Sequence, residues 1–281
     1  MSARLREIAQ STEKIVGAGE YVAGNGRTVP IRDAVARARA GTRMYGPDPV
    51  EVPATTSAGA AAATPSAGPS VEVTGESSLD AARRLTARGP GPVAVLNFAS
   101  ARNPGGGYLN GAQAQEEAVC RSSALYTCLT EVPEFYAHHR ADRDVFYSDR
   151  VIHAPGVPVF RDDRGRLLDE PYEVGFLTSP APNAGVIART TPERVHAIPA
   201  ALAARAERVL EVAAAEGYRR LVLGAWGCGV FRNDPADVAE AFRALLLGRF
   251  RGHFDQVVFA VLDRTRDAAT RTAFERVVGG A

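Results

Sequence analysis

Residues 93–117 read VAVLNFASARNPGGGYLNGAQAQEE, and this stretch decides the fold. Its first six residues form a short apolar run of the kind found in strands that are buried on both faces. A glycine-rich segment follows, and the apolar spacing from Ala114 predicts a helix that continues to Thr130. A strand, a loop and a helix in this order build an α/β sheet, in which ligands bind beyond the carboxyl ends of the strands.

The same alternation extends to both sides of this stretch. Short apolar runs predict strands at 71–74, 150–160, 173–179, 221–225 and 257–262. Helical spacing predicts helices at 78–88, 191–216, 235–247 and at the end of the chain, with a break at Ile198-Pro199. We therefore predict an α/β fold, with a mixed or mostly parallel sheet that helices cover on both faces.

The first 70 residues have a different character and are expected to form an accessory segment before the core at 71–281. Residues 1–15 predict a helix, residues 20–31 a hairpin that turns at Gly24-Asn25-Gly26, and residues 32–41 a second helix. The stretch 53–70 consists mainly of Ala, Thr, Ser, Gly and Pro, so we expect a flexible loop.

Composition excludes several classes of protein. The net charge of +1 predicts no broad basic surface and hence no direct DNA binding. No apolar run approaches the roughly 20 residues that cross a bilayer, and the N-terminus has no signal-peptide core. The three cysteines lack metal-binding spacing and are expected to be reduced thiols of a cytoplasmic protein. We expect a monomer without membrane contact.

The loop after strand 93–98 is the first candidate site. Gly105, Gly106 and Gly107 allow the backbone to approach a ligand closely, although a flexible connector would also use glycine. Glu116 and Glu117 then open a helix, where the helix dipole favours carboxylates in any case. Neighbouring helical residues point about 100° apart, so only one of the two can face a scissile bond squarely.

Two acidic residues suit the hydrolysis of a glycosidic bond, which needs a protonated carboxyl to assist the departing oxygen. A neighbouring carboxylate and partial burial both raise a carboxyl pKa and keep that proton in place. Arg121 lies four residues after Glu117, and an ion pair between them would lower the pKa of Glu117. The sequence leaves the direction of the Arg121 side chain open.

A second glycine-rich loop, LGAWGCGVFRNDP at 223–235, also lies between a predicted strand and a helix. Backbone N–H groups from Gly227 to Phe231 could cradle a diphosphate with help from the helix N-terminus, and Phe231 could stack on a ribose or adenine. The alternative is a tight turn with Phe231 in the core. Cys228 has no histidine nearby in sequence, which disfavours a nucleophile.

The remaining side chains that could act in catalysis or metal binding are expected to have structural roles. His138-His139 is expected in a solvated loop or at a helix end, His153 is expected to be a structural histidine, and Trp226 is expected in the core. No spacing indicates a metal site, so neither a metal nor a cofactor is predicted.

Taken together, the two loops resemble the signature of poly(ADP-ribose) glycohydrolases, in which a glycine triplet and a short spacer precede Gln-Glu-Glu. The flanks NFASARNPGGG and EEAVCRSSALY resemble the bacterial-type branch, as do VIHAPGVPVFRDD, SPAPN and GAWGCGVFRND. The similarity runs from about Val71 to the C-terminus and is weaker in the N-terminal extension. It implies a macrodomain-like three-layer sandwich and metal-independent hydrolysis of the 1″–2′ ribose–ribose bond, releasing ADP-ribose through an oxocarbenium-like transition state.

The resemblance also implies roles for individual residues. Glu117 would be the general acid, and Glu116 would hold the ribose hydroxyls of the polymer. Asn103 and the triplet Gly105–Gly107 would enclose the terminal ribose. The full set of implied ligand-binding residues is Asn103, Gly105, Gly106, Gly107, Gln115, Gly227, Cys228, Gly229, Val230 and Phe231.

Two other functions remain open on the sequence alone. A macrodomain reader would bind ADP-ribose without cleaving it, and it would not need the acidic pair Glu116-Glu117. A related enzyme would act on mono-ADP-ribosylated protein or on O-acetyl-ADP-ribose. The leading interpretation predicts poly(ADP-ribose), ADP-ribose and poly(ADP-ribosyl)ated proteins as partners.

Overall fold

The structure is a computed structural model that describes residues 2–53 and 68–279. The N-terminal part contains α1 (Ala3–Ala18), β1 (Glu20–Val22), β2 (Thr28–Pro30), α2 (Arg32–Gly41) and β3 (Arg43–Tyr45). Then follow β4 (Ser70–Thr74), α3 (Ser78–Arg88), β5 (Val93–Phe98), α4 (Gln115–Ser122), α5 (Leu125–Leu129), α6 (Pro133–Ala141), β6 (Val151–Arg161) and β7 (Leu167–Ser179). The last part contains α7 (Ala184–Thr190), α8 (Ile198–Ala215), β8 (Arg220–Gly224), α9 (Pro235–Leu247), β9 (Gln256–Ala260) and α10 (Ala269–Val278). Short 3₁₀ segments lie at Tyr108–Asn110 and Pro192–Ala197.

Seven strands form one mixed sheet in the order β3-β6-β7-β5-β8-β9-β4. The pairs β7–β5, β5–β8, β8–β9 and β9–β4 are parallel, whereas the pairs β3–β6 and β6–β7 are antiparallel. The hairpin β1–β2 is a separate antiparallel pair. The α/β class and the mixed sheet predicted from the sequence are therefore confirmed.

Side chains of the central strand alternate between the two faces of this sheet. Val93 and Val95 join a core that includes residues of α3, α4 and α5, while Ala94 and Leu96 join a core that includes residues of α8, α9 and α10. Both faces of β5 are buried, which explains why its sequence is a nearly continuous apolar run. The fold is thus a three-layer sandwich of helices, sheet and helices.

This topology brings the two glycine-rich loops to one edge of the sheet. The strands β5 and β8 are parallel neighbours, with Val93 opposite Arg220 and Val95 opposite Val222. Their carboxyl ends therefore point the same way, and the loops that follow Phe98 and Gly224 start side by side.

One predicted helix is wrong. The helix expected from Ala114 to Thr130 is divided into α4 and α5, because Ser123 adopts an extended conformation and forms a β-bridge with Val159. The Ser123 hydroxyl donates to the Val119 carbonyl at 2.7 Å, and serine readily makes such bonds in competition with helix formation. The break lets the chain turn after the glutamate-bearing helix.

The structure also contains elements that the sequence did not predict. The strand β3 pairs with β6 and is only three residues long, which is too short for an alternating pattern to be recognised. The helices α6 and α7 were not predicted either. The predicted hairpin and helices of the first 41 residues are confirmed. Of the predicted loop 53–70, residues 54–67 lie outside the described residues and Ser70 begins β4, and the division at 70/71 stays a prediction.

Several side chains that the sequence assigned to structural roles can now be located. Trp226 is fully buried, and its indole N–H donates to the Ser179 carbonyl at 2.9 Å. His153 is buried against the Tyr218 hydroxyl at 2.8 Å, as expected for a structural histidine. His139 lies at the end of α6, but it is buried rather than solvated. All three cysteines are free thiols. In the described ranges no helix is long and apolar enough to span a membrane.

The packing of Gly175 on β7 generates a stability prediction. A Cβ at Gly175 would overlap the Tyr218 hydroxyl, whose bond to His153 would then be broken. We expect Gly175→Ala to lower the free energy of unfolding by about 1–3 kcal/mol in chemical denaturation, because overpacking forces the buried ring to move. Gly46→Ala is the control, since its Cβ would meet nothing within 4 Å. Equal stability of both variants would contradict this packing argument.

Candidate active site

The first site loop is anchored by a polar residue inside an apolar strand. Asn97 is fully buried near the end of β5, and its Nδ2 donates to Glu116 Oε1 at 3.2 Å and to Thr178 Oγ1 at 3.1 Å. A buried amide costs free energy unless it is hydrogen-bonded, and the bond to Glu116 supplies one of the partners that the Asn97 amide requires. Asn97 was not predicted as a site residue, although a single Asn in the apolar run VAVLNF is a signal for such a role.

Glu116 is turned towards the protein interior. Only 3% of the residue is exposed, and its Oε2 accepts from the Ser100 N–H at 2.6 Å. Burial raises the pKa of Glu116 to about 8, with a smaller contribution from the nearby Glu117, while hydrogen bonds from Ser100 and Asn97 oppose the increase. Near neutral pH, Glu116 therefore holds a proton more often than an exposed carboxyl does.

Glu117 faces the other way and lines a cavity of about 610 Å³. Its Oε1 accepts from the Gly107 N–H at 2.9 Å. Gly106 has φ +58°, and a Cβ there would lie 2.6 Å from Glu117 Oε1 and 3.1 Å from Glu116 Oε2. Only glycine allows the backbone to pass this close to both carboxyl groups.

The cavity gathers only some of the residues that the sequence singled out. Its lining comprises Ser100, Asn103, Pro104, Gly106, Gly107, Leu109, Asn110, Glu117 and Tyr126. Gly105 is not part of this lining and packs against Tyr126 and Cys120, with a hypothetical Cβ 3.0 and 3.3 Å from their nearest atoms. The other lining residues, Ser100, Pro104, Leu109, Asn110 and Tyr126, were not predicted from the sequence as site residues.

Gln115 takes a structural position beside the pair. Its Oε1 accepts from the Phe98 N–H at 2.9 Å, and its Nε2 donates to the Leu96 carbonyl at 2.9 Å and to Ser78 Oγ at 3.1 Å. The amide thus ties the first turn of α4 to the end of β5. Its hydrogen-bonding groups are already used within the protein, which leaves the side chain little to offer a ligand.

The orientation of Arg121 resolves the question left open by the sequence. Its Nη1 donates to the Ala112 carbonyl at 2.7 Å, and burial lowers its pKa. Among the described residues no ion pair joins Arg121 to Glu117, although the charge of Glu117 partly opposes the lowering of the Arg121 pKa. The guanidinium fastens the loop before α4 and leaves the Glu117 carboxyl to the cavity.

The second loop folds around Asn233. Its Nδ2 donates to the Pro182 carbonyl at 2.8 Å and to the Gly227 carbonyl at 3.2 Å, and Gly227 has φ +72°. A Cβ at Gly227 would overlap the Asn233 amide, so this position requires glycine. The backbone N–H groups of Gly229, Val230 and Phe231 have no hydrogen-bond partner in the described part of the chain. They remain available to an acceptor.

The side chains of this loop divide into exposed and packed groups. Val230 is 79% exposed, whereas Phe231 is half-buried, with its ring centroid 6.0 Å from that of Tyr147. Burial raises the pKa of the Cys228 thiol to about 12, which keeps it protonated and unsuited to attack as a thiolate. The expected contribution of the α9 N-terminus is limited, because Asp234 caps it by accepting from the Ala236 N–H at 2.7 Å.

The described residues contain no group of three or more His, Cys, Asp or Glu side chains placed to hold a metal ion. The site presents the Glu117 carboxyl at the wall of a polar cavity. The second loop starts at the same edge of the sheet and carries free backbone N–H groups, but none of its residues lines this cavity.

The raised pKa of Glu116 predicts a pH dependence of stability. Between about pH 5 and 8 the folded chain holds a proton on Glu116 that the unfolded chain has released, so unfolding becomes easier as pH rises. We expect Glu116→Gln to remove this loss, which is at most about 1.4 kcal/mol per pH unit. Denaturant unfolding at a series of pH values measures it. The exposed Glu134→Gln should keep the wild-type slope, and parallel slopes for all three proteins would contradict the prediction.

Comparison with known proteins identifies the family. Residues 9–162, more than half of the chain, match the family described as microbial-type PARG, catalytic domain. A crystal structure of poly(ADP-ribose) glycohydrolase (PARG) from Thermomonospora curvata is 51% identical, with a TM-score of 0.90 over 98% of this chain and 100% of that chain. The enzyme from the same organism bound to the inhibitor ADP-HPD is 51% identical, with a TM-score of 0.86 over 98% and 99%.

A more distant structure is that of the glycohydrolase from Deinococcus radiodurans in complex with ADP-ribose. It is 44% identical, with a TM-score of 0.77 over 88% of this chain and 97% of that chain. A search of curated proteins finds no significant match. The macrodomain-like architecture predicted from the sequence is confirmed by these similarities. The chain belongs to the microbial-type poly(ADP-ribose) glycohydrolase family.

Proposed function

We propose that this chain hydrolyses the 1″–2′ ribose–ribose bonds of poly(ADP-ribose), with Glu117 as the general acid and then the general base. The observation that carries the proposal is the opposite orientation of the two glutamates. Glu117 lines the cavity, whereas Glu116 is bonded to Asn97 and Ser100 in the interior. A single carboxyl is thus presented to a ligand, as expected for adjacent residues on a helix.

The relatives support the choice of ligand. One solved structure of the family holds the inhibitor ADP-HPD, and another holds ADP-ribose. We infer that the cavity of this chain takes the terminal ADP-ribose of the polymer, with Asn103, Gly106 and Gly107 around the ribose. Gly105 would not touch the ligand but would fix the turn that carries Asn103, Gly106 and Gly107.

The proposed reaction needs one proton and one water molecule. Glu117 donates its proton to the departing 2′-oxygen, and the ribose left behind develops oxocarbenium character. The carboxylate of Glu117 then accepts a proton from the attacking water, which regenerates the acid. The bond from the Gly107 N–H holds the carboxyl in place throughout, so little orientation has to be gained during the reaction.

The second loop would bind the diphosphate. The free N–H groups of Gly229, Val230 and Phe231 form a short run of donors, and such runs create anion sites without a basic side chain. Gly227 and Cys228 would contribute their backbone to this turn, and the half-buried ring of Phe231 would stack on the ligand. Gln115, which the resemblance placed among the ligand contacts, is instead proposed to position α4.

An assay with labelled poly(ADP-ribose) in EDTA separates this function from its alternatives. Release of free ADP-ribose supports the proposal and excludes a metal requirement. Binding without release would support a reader, and release only from mono-ADP-ribosylated protein would support the other hydrolase. Poly(ADP-ribosyl)ated proteins are the proposed physiological substrates.

The first prediction of this proposal concerns Glu117. We expect Glu117→Gln to bind ADP-ribose within a few-fold of the wild type in calorimetry, while polymer hydrolysis falls by roughly 10²–10⁴, the usual contribution of a positioned general acid. Glu134→Gln makes the same chemical change on an exposed face of α6 and should keep full activity. Full activity of Glu117→Gln would remove Glu117 from the role.

The second prediction concerns Phe231. Loss of the ring in Phe231→Ala should raise the Kd for ADP-ribose at least about fivefold, because a stacked aromatic contact contributes about 1 kcal/mol beyond its buried area. Calorimetric titration measures this change. Val22→Ala, which removes an exposed apolar side chain from the distant hairpin, should leave the Kd unchanged. An unaltered Kd in Phe231→Ala would show that the ring belongs to the core alone.

A further inference from the structure

The N-terminal helix α1 lies against the loop that carries Gly107 through both apolar and polar contacts, and its Ile15 and Val16 are only partly buried against the core. Of its sixteen residues only Ala9 and Thr12 are fully buried. Apolar burial of this extent does not define a precise position, because hydrophobic contact is non-directional. Hydrogen bonds from α1 to the loop therefore have to set the position of the helix relative to the site.

The central bond of this contact joins Glu13 to Tyr108. Tyr108 is fully buried, and its hydroxyl lies 2.8 Å from Glu13 Oε1 and 3.2 Å from the Ala9 carbonyl, both on α1. Its ring centroid is 5.1 Å from that of Tyr126, which lines the cavity. Neither Glu13 nor Tyr108 itself is part of that lining, so neither is placed to touch a substrate there.

Tyr108 is covalently next to the group that holds the general acid. The preceding residue, Gly107, donates its N–H to Glu117 Oε1 at 2.9 Å. The Tyr108 N–H in turn donates to the Gly105 carbonyl at 3.0 Å, and its carbonyl accepts from the Gly111 N–H at 3.1 Å. A movement of the Tyr108 ring would therefore shift the turn that carries the Gly107 N–H.

Two further bonds from α1 reach the same unit. The Thr12 hydroxyl donates to the Arg121 carbonyl at 2.7 Å, in the last turn of α4. The Ser2 N–H donates to the Gly111 carbonyl at 3.0 Å, just beyond the 3₁₀ segment. The helix α1 thus bonds to the loop before Glu117 and to the helix after it.

We propose that Glu13 and Tyr108 are positioning residues for hydrolysis, because their hydrogen bond fixes the Gly107 N–H that orients the Glu117 carboxyl. This inference rests on the proposed function of Glu117. It also gives the N-terminal segment a defined task, since α1 supplies the acceptor that anchors the loop.

The hydrogen bonds of the Tyr108 hydroxyl determine which substitution of Glu13 is conservative. One hydroxyl proton faces two acceptors, the Glu13 carboxyl and the Ala9 carbonyl. The shorter of the two bonds is donated by the Tyr108 hydroxyl to Glu13 Oε1. Glutamine has the same shape as glutamate and keeps an acceptor oxygen for this bond, whereas alanine removes it, so Glu13→Gln is the conservative substitution.

The first test compares two tyrosines that each lose a buried hydroxyl. Tyr108→Phe removes the bond to Glu13, and Tyr21→Phe removes a 2.8 Å bond to the Leu168 carbonyl in the hairpin region. Both variants should lose similar thermal stability. We expect kcat on poly(ADP-ribose) to fall roughly 10-fold only in Tyr108→Phe, because small displacements of catalytic groups are costly, with the Kd for ADP-ribose within about twofold. A kcat equal to that of Tyr21→Phe would overturn the proposal, as would a Kd that weakens as much as kcat falls.

The second test uses Glu13 and remains informative if Tyr108→Phe does not fold. Glu13→Ala should reduce kcat as Tyr108→Phe does, and Glu13→Gln should restore it to within about threefold of the wild type. Equal loss in both Glu13 variants, or loss in neither, would overturn the proposal.

A third measurement does not depend on activity. Amide hydrogen exchange at Gly107 should become faster in Tyr108→Phe and stay unchanged in Tyr21→Phe, since exchange reports local opening. If the wild-type chain releases no ADP-ribose, the proposed function fails while this exchange still decides whether Tyr108 holds the loop. Unchanged exchange in Tyr108→Phe would overturn the positioning role even in an active enzyme.

Discussion

The hydrogen bond from the Gly107 N–H to Glu117 Oε1 is the contact on which the site depends. It requires a backbone that comes close to two carboxyl groups, and a side chain at Gly106 would collide with Glu117. Because the donor is part of the main chain, the carboxyl has a fixed partner and yet keeps a face towards the cavity. A flexible side chain in the same place would lose rotational entropy each time it formed the bond.

The surrounding sheet makes this arrangement possible. Asn97 near the end of β5 and the Ser100 N–H just after this strand both donate hydrogen bonds to Glu116. These bonds hold the Glu116 carboxyl in the interior. Adjacent helical residues diverge, and the inward position of Glu116 leaves Glu117 directed at the cavity. The neighbouring strand β8 brings the second glycine-rich loop, with its free N–H groups, to the same edge of the sheet.

Much of this organisation could be predicted from local patterns. The bounds of α3 and β5 agree with those read from apolar spacing, and the helix capped by Asp234 ends at Leu247 as expected. Contacts between distant parts of the chain could not be predicted in this way. The bridge of Ser123 to Val159, the strand β3 and the bond of Tyr108 to Glu13 each join residues far apart in sequence, so no local period reports them.

The sequence by itself determined the alternation of strands and helices, the positions of the glycine-rich loops and the presence of an acidic pair at a helix start. These features follow from spacing and residue type, which act over a few residues. Only the tertiary structure decided which glutamate faces the cavity, that Arg121 turns to Ala112, and that α1 anchors the loop. Those outcomes depend on the packing of separate elements in space, and hydrogen bonds between them have no counterpart in the order of residues along the chain.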